Sequence, residues 1–399
     1  MTGAVESSPQ PPASPDAALQ RAAAAVDALA ERHLRRLGHV VPGTRIGVSS
    51  WPPVGRFGSA ARLKASWNYW WQAHLVDVLV DAAVLGDPRA AREATALVRG
   101  IRIRNIGRWT NEYYDDMAWL ALALERADRH LPRSRHRGGL RTFTRVLSDA
   151  WTPDLGGGIP WRTTDHFFNV PANGPAGIFL ARRGHVERAV QTADWIDRTL
   201  LLPSGLIADG FWVESDGGRR DVDTVYAYCQ GVTLGLLLEC YRLTRAPRHL
   251  ERLTRLLGAV EERCAVDGVL TGHGGGDGGL FSGILARYLA LIATDLPRGT
   301  PGADGLRARA GALVRTSADS AWAHRAQHDG LPVFGPDWST QATVPGADGA
   351  GAAFVGGAVR SSSTPERDLS VQIAGAMLMT AAASVTLRSP EHTGSVTPE

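Results

Sequence analysis

Cysteine is nearly absent from this 399-residue chain, which carries only Cys229, Cys240 and Cys264. Three thiols cannot staple a fold of this length, and their spacing is not that of a metal site, so a disulfide scaffold and a zinc ribbon are both excluded. Lysine is scarce, and no Lys/Arg block stands out among 43 basic and 40 acidic residues, so nucleic acid is not an expected partner. Strand-like alternation is rare, and β-branched residues seldom cluster. No basic, apolar leader opens the chain. The segment MTGAVESSPQPPASPDAAL holds Pro9, Pro11, Pro12 and Pro15 and reads as a disordered lead over residues 1–16. On that basis a cytoplasmic location is expected, the other reading being export by a route the sequence does not show. One uncharged run, 369–387, is long enough to cross a bilayer. Ser370, Gln372, Thr380, Ser384 and Thr386 interrupt it, so a buried core helix is expected and no membrane span.

What the chain does contain is helix. Periodicity and Gly/Pro breakers predict twelve segments, near 17–37, 59–85, 88–103, 111–130, 136–149, 165–183, 186–201, 221–244, 247–264, 278–295, 303–324 and 368–386. The third, fifth, seventh, ninth and eleventh carry charge along one face, as in PRAAREATALVRGI. The even-numbered ones are apolar over more of their circumference, as in Met117–Leu124 and Val232–Leu238. Six outer and six inner helices in alternation predict an all-α fold, a closed (α/α)6 barrel. A one-layer helical solenoid would pattern similarly. No Pro/Ser linker divides the run, so one domain is expected over 17–390, with a disordered tail at 391–399. The stretch 325–367 has few helix signals and is too long for an ordinary connection, which marks it as a functional flap or a partly disordered segment.

The strongest chemical signal is Asn111-Glu112-Tyr113-Tyr114-Asp115-Asp116-Met117-Ala118-Trp119. An Asp at a helix N-terminus is commonly a cap, which explains one carboxylate well and two poorly. Two carboxylates about 5 Å apart repel by roughly 3 kcal/mol at an effective dielectric of about 20. A helix terminus returns only about 0.3–1 kcal/mol to each anion. Repulsion wins, and one Asp is expected to keep its proton. An ionised carboxylate beside a protonated one is the equipment for retaining glycoside hydrolysis.

Aromatic residues surround this pair in sequence. Trp51, Trp67, Tyr69, Trp70 and Trp71 crowd the second predicted helix, and Trp161 follows Gly156-Gly157-Gly158-Ile159-Pro160. Their faces suit the CH surfaces of sugar rings. Trp67 and Trp71, at i and i+4 beside Asn68 and Gln72, could equally be sugar platforms or core, whereas Trp119 and Trp195 read as core. The loops GGGIPW and HGGGDGG lack the Lys-Ser/Thr of a phosphate loop, so no nucleotide is expected. The histidines do not pair at metal spacing, and no metal or cofactor is implied.

In this order, these residues resemble glycoside hydrolase family 76, the α-1,6-mannanases, over about residues 45–385. Four blocks carry the resemblance: Asn68–His74; Tyr114-Asp115-Asp116 with Trp119; Gly156–Arg162 followed by Ala172–Ala176; and Tyr228–Gly231 with Phe281–Ile284 and Arg287-Tyr288-Leu289. The resemblance implies an (α/α)6 barrel and a retaining mechanism on α-1,6-linked mannose in a mannan or glycolipid, with internal (endo) cleavage. By motif position Asp115 would be the nucleophile and Asp116 the general acid/base. Trp161, Asn173, Tyr228 and Gln230 would line the sugar subsites with Phe281 at the wall, and Trp67, Trp71 and Tyr114 complete the expected substrate-binding set. Cys229 stands where the family usually has Asn, and Ser282 where Lys is common. Those departures motivate a second reading, a carbohydrate-binding barrel that no longer hydrolyses, and a transglycosylase would share every catalytic residue. The expected partner is an α-mannan oligo- or polysaccharide, and the expected state a monomer.

Overall fold

The computed structural model describes residues 13–53, 67–132 and 135–388. Among them are twelve α-helices: α1 (Pro15–His33), α2 (Tyr69–Val84), α3 (Pro88–Arg104), α4 (Tyr114–His130), α5 (Arg137–Asp149), α6 (Val170–Arg182), α7 (Val186–Leu200), α8 (Ala227–Thr244), α9 (Pro247–Arg263), α10 (Phe281–Asp295), α11 (Ala303–Ala323) and α12 (Leu369–Leu387). Their starts are written in the sequence. Ser14 accepts the Ala17 N–H ahead of Pro15, Asp87 accepts that of Arg89 ahead of Pro88, and Asn169 accepts that of Ala172 at the head of α6.

The even-numbered helices form the inner ring. Each packs on the next from α2 to α12, and α12 packs back on α2, so the ring closes. That closure decides for the (α/α)6 barrel over the open solenoid. The odd-numbered helices lie outside it, for example α3 on α2, α7 on α6 and α1 on α12. Inner helices are apolar all round because neighbours cover them on every side. Helix α12 is long and apolar enough to cross a membrane, yet 94% of its apolar window is buried within the barrel.

Toward the C-terminal ends of the inner helices, charged side chains tie neighbours together. Arg126 of α4 pairs with Asp77 (2.5 Å) and Asp81 of α2, and Arg287 of α10 reaches Asp81 at 2.6 Å. Arg182 of α6 pairs with Glu239 of α8 at 2.6 Å and lies 3.7 Å from Glu125 of α4. The opposite end of the ring, where the inner helices begin, is the open mouth.

Short strands fill the connections: β1 (Leu34–Arg35) with β2 (Ile46–Gly47), the antiparallel sheet β3 (Phe167–Asn169), β4 (Gly210–Val213) and β5 (Arg219–Val222), and the hairpins β6 (Ala265–Val266)–β7 (Val269–Leu270), β8 (Ala326–His328)–β9 (Leu331–Val333) and β10 (Ala353–Val355)–β11 (Ala358–Arg360). These strands correct several expected boundaries. The first helix stops at His33 because Leu34 and Arg35 pair with residues 46–47, and the sixth begins at Val170 because residues 167–169 pair with β4. The eighth begins at Ala227, since β5 occupies 219–222. The second begins at Tyr69; its expected residues 59–66 lie outside the described residues, as do most of the predicted lead (1–12) and the tail 391–399. The stretch 325–367 is folded into the hairpins β8–β9 and β10–β11 and a short 3-10 turn at Pro365–Arg367.

Candidate active site

The N-termini of the inner helices converge on a cavity of about 820 Å3. Asp115 and Asp116, in the first turn of α4, both line it. The turn is pinned by backbone: the Tyr114 N–H donates to the Trp161 carbonyl at 2.9 Å. The loop before α6 is thereby held against the start of α4, and the Trp161 indole N–H reaches Asp115 Oδ2 at 3.0 Å.

The two carboxyls have different surroundings. Asp115 Oδ1 also accepts the Asp116 backbone N–H at 2.9 Å, and Asp116 Oδ2 accepts the Asn111 amide at 2.5 Å. Burial pushes the Asp115 carboxyl up to about 7, against the pull of its two donors. Asp116 is pushed well above the ordinary carboxylate range, first by burial and then by the charge of Asp115. Near neutral pH this leaves Asp115 as the group that ionises and Asp116 as the one that keeps a proton, the asymmetry expected from repulsion at a helix start.

Two further acids face the same cavity, and neither was singled out from the sequence. Asp277, in the turn before α10, accepts the indole N–H groups of Trp71 (3.0 Å) and Trp70 (3.2 Å) on Oδ1 and the Val359 N–H (2.7 Å) on Oδ2. Burial raises its carboxyl to about 6. Asp209, just before β4, is raised to about 7 by burial, with the Cys229 thiol 3.8 Å from its Oδ1. The signal that could have exposed Asp277 is topological. It sits in HGGGDGG, immediately ahead of an inner helix, the same station the Asp pair occupies on α4.

One wall is aromatic. Tyr228 stacks on Phe281 with ring centroids 4.1 Å apart and planes 8° from parallel, and Tyr226 and His273 lie against the same ring. The His273 Nε2 accepts the Ala227 N–H at 3.3 Å.

Of the expected substrate-binding residues, Trp67, Trp161, Tyr228 and Phe281 line the cavity beside both Asp. The other four do not reach it. Trp71 is fully buried, its indole N–H spent on Asp277. Tyr114 packs against the core beside the cavity. Asn173 is fully buried and bonds the Ile159 N–H and carbonyl, both at 2.8 Å, and the Asn169 carbonyl. Gln230, also fully buried, clamps the Ile207 N–H and carbonyl at 2.8 Å. These side chains hold the loops that carry Trp161 and Asp209, so they support the wall from behind.

Other readings also shift. Trp119, taken as core, is nearly buried yet presents an edge to the cavity floor, against His74. Trp195 is core as expected, and it explains Gly158: at φ +97°, a Cβ there would lie 2.6 Å from the Trp195 ring. The glycine run seats a tryptophan. Cys229 and Ser282 both lie outside the cavity lining. Cys229 is fully buried, and the Ser282 hydroxyl donates to the Thr271 carbonyl at 2.6 Å.

Comparison with known proteins agrees with this geometry. Glycosyl hydrolase family 76 matches residues 24–368. The α-1,6-mannanase of a Salegentibacter species superposes with a TM-score of 0.75 at 26% identity, covering 92% of this chain and 99% of that one. A variant of that enzyme, inactive through replacement of two adjacent aspartates and bound to α-1,6-mannotetrose, gives a TM-score of 0.75 at 25% identity over 92% and 99% of the two chains. The Lin0763 protein of Listeria innocua shares the fold, with a TM-score of 0.75 at 24% identity over 93% and 98%. A search of curated proteins gives no match. With the family covering most of its length and an acidic pair at the mouth of a closed helical ring, this chain belongs to glycosyl hydrolase family 76.

Proposed function

We propose that this protein is a retaining glycosidase that hydrolyses α-1,6-linked mannose in a mannan-type polysaccharide or glycolipid. The observation that carries this reading is the unequal Asp pair, with Asp115 held by two donors and Asp116 kept protonated by burial and its neighbour's charge. In the first step an Asp115 oxygen attacks the anomeric carbon as the glycosidic C–O bond breaks, and the Asp116 proton passes to the leaving oxygen. In the second, Asp116 takes a proton from water, whose oxygen attacks the same carbon and releases Asp115. The substrate class rests on the similarity to the Salegentibacter α-1,6-mannanase and its oligosaccharide complex. Tyr228 and Phe281 offer the stacked surface a pyranose ring needs.

The test is incubation with linear α-1,6-mannan and, in parallel, other α-glycans, with the anomer of the first product followed by proton NMR. The expected result is α-mannose ends released first from α-1,6-mannan alone. D115N and D116N should each abolish release while leaving circular dichroism unchanged. Near-wild-type activity in either variant would remove that residue from its role. Release of the β-anomer first would exclude the retaining route. The non-hydrolysing reading loses its support here, because Cys229 and Ser282, which motivated it, do not line the cavity.

A further inference from the structure

The hairpin β10–β11 leaves the ring between α11 and α12 and lies over the mouth. Ala353 pairs with Arg360, Phe354 with Val359 and Val355 with Ala358, so Gly356 and Gly357 form a two-residue tip. Their φ values of 64° and 96° are those of a type I′ turn, which glycine adopts without strain. Near its root the hairpin is fixed by the Val359 N–H on Asp277, ahead of α10. At its tip Gly357 lies so close to Trp161 that a Cβ would be 2.8 Å from the indole Cη2. Trp161 belongs to the loop between α5 and α6 and is bonded to Asp115 on α4.

In the ring order α2, α4, α6, α8, α10, α12, those two attachments stand on opposite sides. The hairpin therefore crosses the mouth, and Phe354, Gly357, Ala358 and Val359 form part of the cavity lining. On one side of it lie Trp67, Asn68 and Arg104. On the other lie Asn169, Asp209 and Tyr226. Among the described residues no other connection reaches from one side of the mouth to the other.

We propose that this hairpin is a strap that confines attack to the ends of a glycan chain. The inference rests on the glycosidase reading above and sets its mode of action. A long polymer can present an internal residue to a catalytic pair only if the cleft is open along its length from above. With a strap over the acids, chain must pass beneath it end first. The family resemblance implies internal cleavage; the strap, resting on Trp161 and Asp277, opposes it in this chain. Phe354, 57% exposed at the cavity, is placed to meet the threaded chain.

The experiment follows wild-type protein acting on a long linear α-1,6-mannan and on a reducing-end-labelled oligosaccharide, with product sizes read at low conversion. A strap gives one short product from the first time point and slow shortening of the parent chain. An early ladder of mid-length fragments overturns the strap while leaving the substrate assignment intact. Absence of products from chains of every length overturns the substrate assignment and the strap with it. A second arm replaces Phe354–Val359 by Asn-Gly, which closes the Ala353–Arg360 pair with a shorter turn. The expected change is a shift from short products to a mid-length ladder. An unchanged product pattern in a folded, active variant of this kind also overturns the strap.

Discussion

The indole nitrogen of Trp161 lies 3.0 Å from Asp115 Oδ2, so one residue serves both as cavity wall and as hydrogen-bond donor to the carboxylate. A hydrogen bond to a charged group contributes about 1.5–3 kcal/mol. Trp161→Phe keeps an aromatic surface and removes the donor. It should lower kcat/KM on an α-mannoside by about ten- to a hundredfold and move the acidic limb of the pH profile upward. A loss of rate with no movement of that limb would separate the residue from the ionisation of Asp115.

The pH dependence of kcat/KM follows from the pair itself. Activity should rise as Asp115 loses its proton near pH 7 and fall at higher pH as Asp116 loses its own. The charge of Asp277 raises both groups. Asp277→Asn should therefore shift both limbs toward lower pH, by up to about one pH unit, equivalent to about 1.4 kcal/mol. A fall in activity with both limbs in place would make Asp277 purely structural.

The ring was legible because helix periodicity repeats the same contrast six times, and burial on all sides leaves a plain mark in residues such as Val170–Ala181. The Asp pair was legible because two adjacent acids ahead of an apolar run are hard to explain as a cap. What escaped notice depends on contacts distant in sequence. Asn173 and Gln230 carry amides that suit sugar hydroxyls, yet each is consumed by a loop backbone at Ile159 or Ile207. Asp277 looked like part of a glycine loop, and only the fold brings Trp70, Trp71 and Val359 to it. No local pattern announces that residues 353–360 cross a mouth built by other helices.

Stability should fall as pH rises from about 4 to about 7. In the folded state the carboxyls of Asp115, Asp209 and Asp277 sit at about 7, 7 and 6, above the usual 3.8, so the folded protein binds more protons than the unfolded chain across that window. Stability present at pH 4 is thus lost as each carboxyl ionises, and most of the loss is complete once pH exceeds 7. Asp209→Asn, which cannot ionise, should reduce the loss by an amount on the order of 1 kcal/mol. Thermal unfolding at pH 5 and pH 8 checks this. A wild-type Tm that is higher at pH 8 would contradict the assignment of raised carboxyls.

The ion pairs at the far end of the barrel give the opposite kind of mutant, one that unfolds without touching chemistry. Arg126 is buried between Asp77 and Asp81 of α2, and their attraction holds Asp77 below the usual carboxylate range despite its burial. Replacing Arg126 by Met fills much of the space but strands two carboxylates that share no other cation nearer than Arg287. Removing one partner of a buried pair costs about 3–5 kcal/mol, because the remaining charge is left uncompensated. Arg126→Met should therefore unfold at markedly lower denaturant concentration. Its kcat/KM, measured well below that midpoint, should stay near wild type, since the pair lies at the opposite end of the ring from Asp115 and Asp116. The triple variant Arg126→Met, Asp77→Leu, Asp81→Leu would strand Arg287 in turn, so only a further Arg287→Met should recover stability. Failure of that fourfold variant to regain what Arg126→Met loses would show that the belt sets helix register as well as neutralising charge.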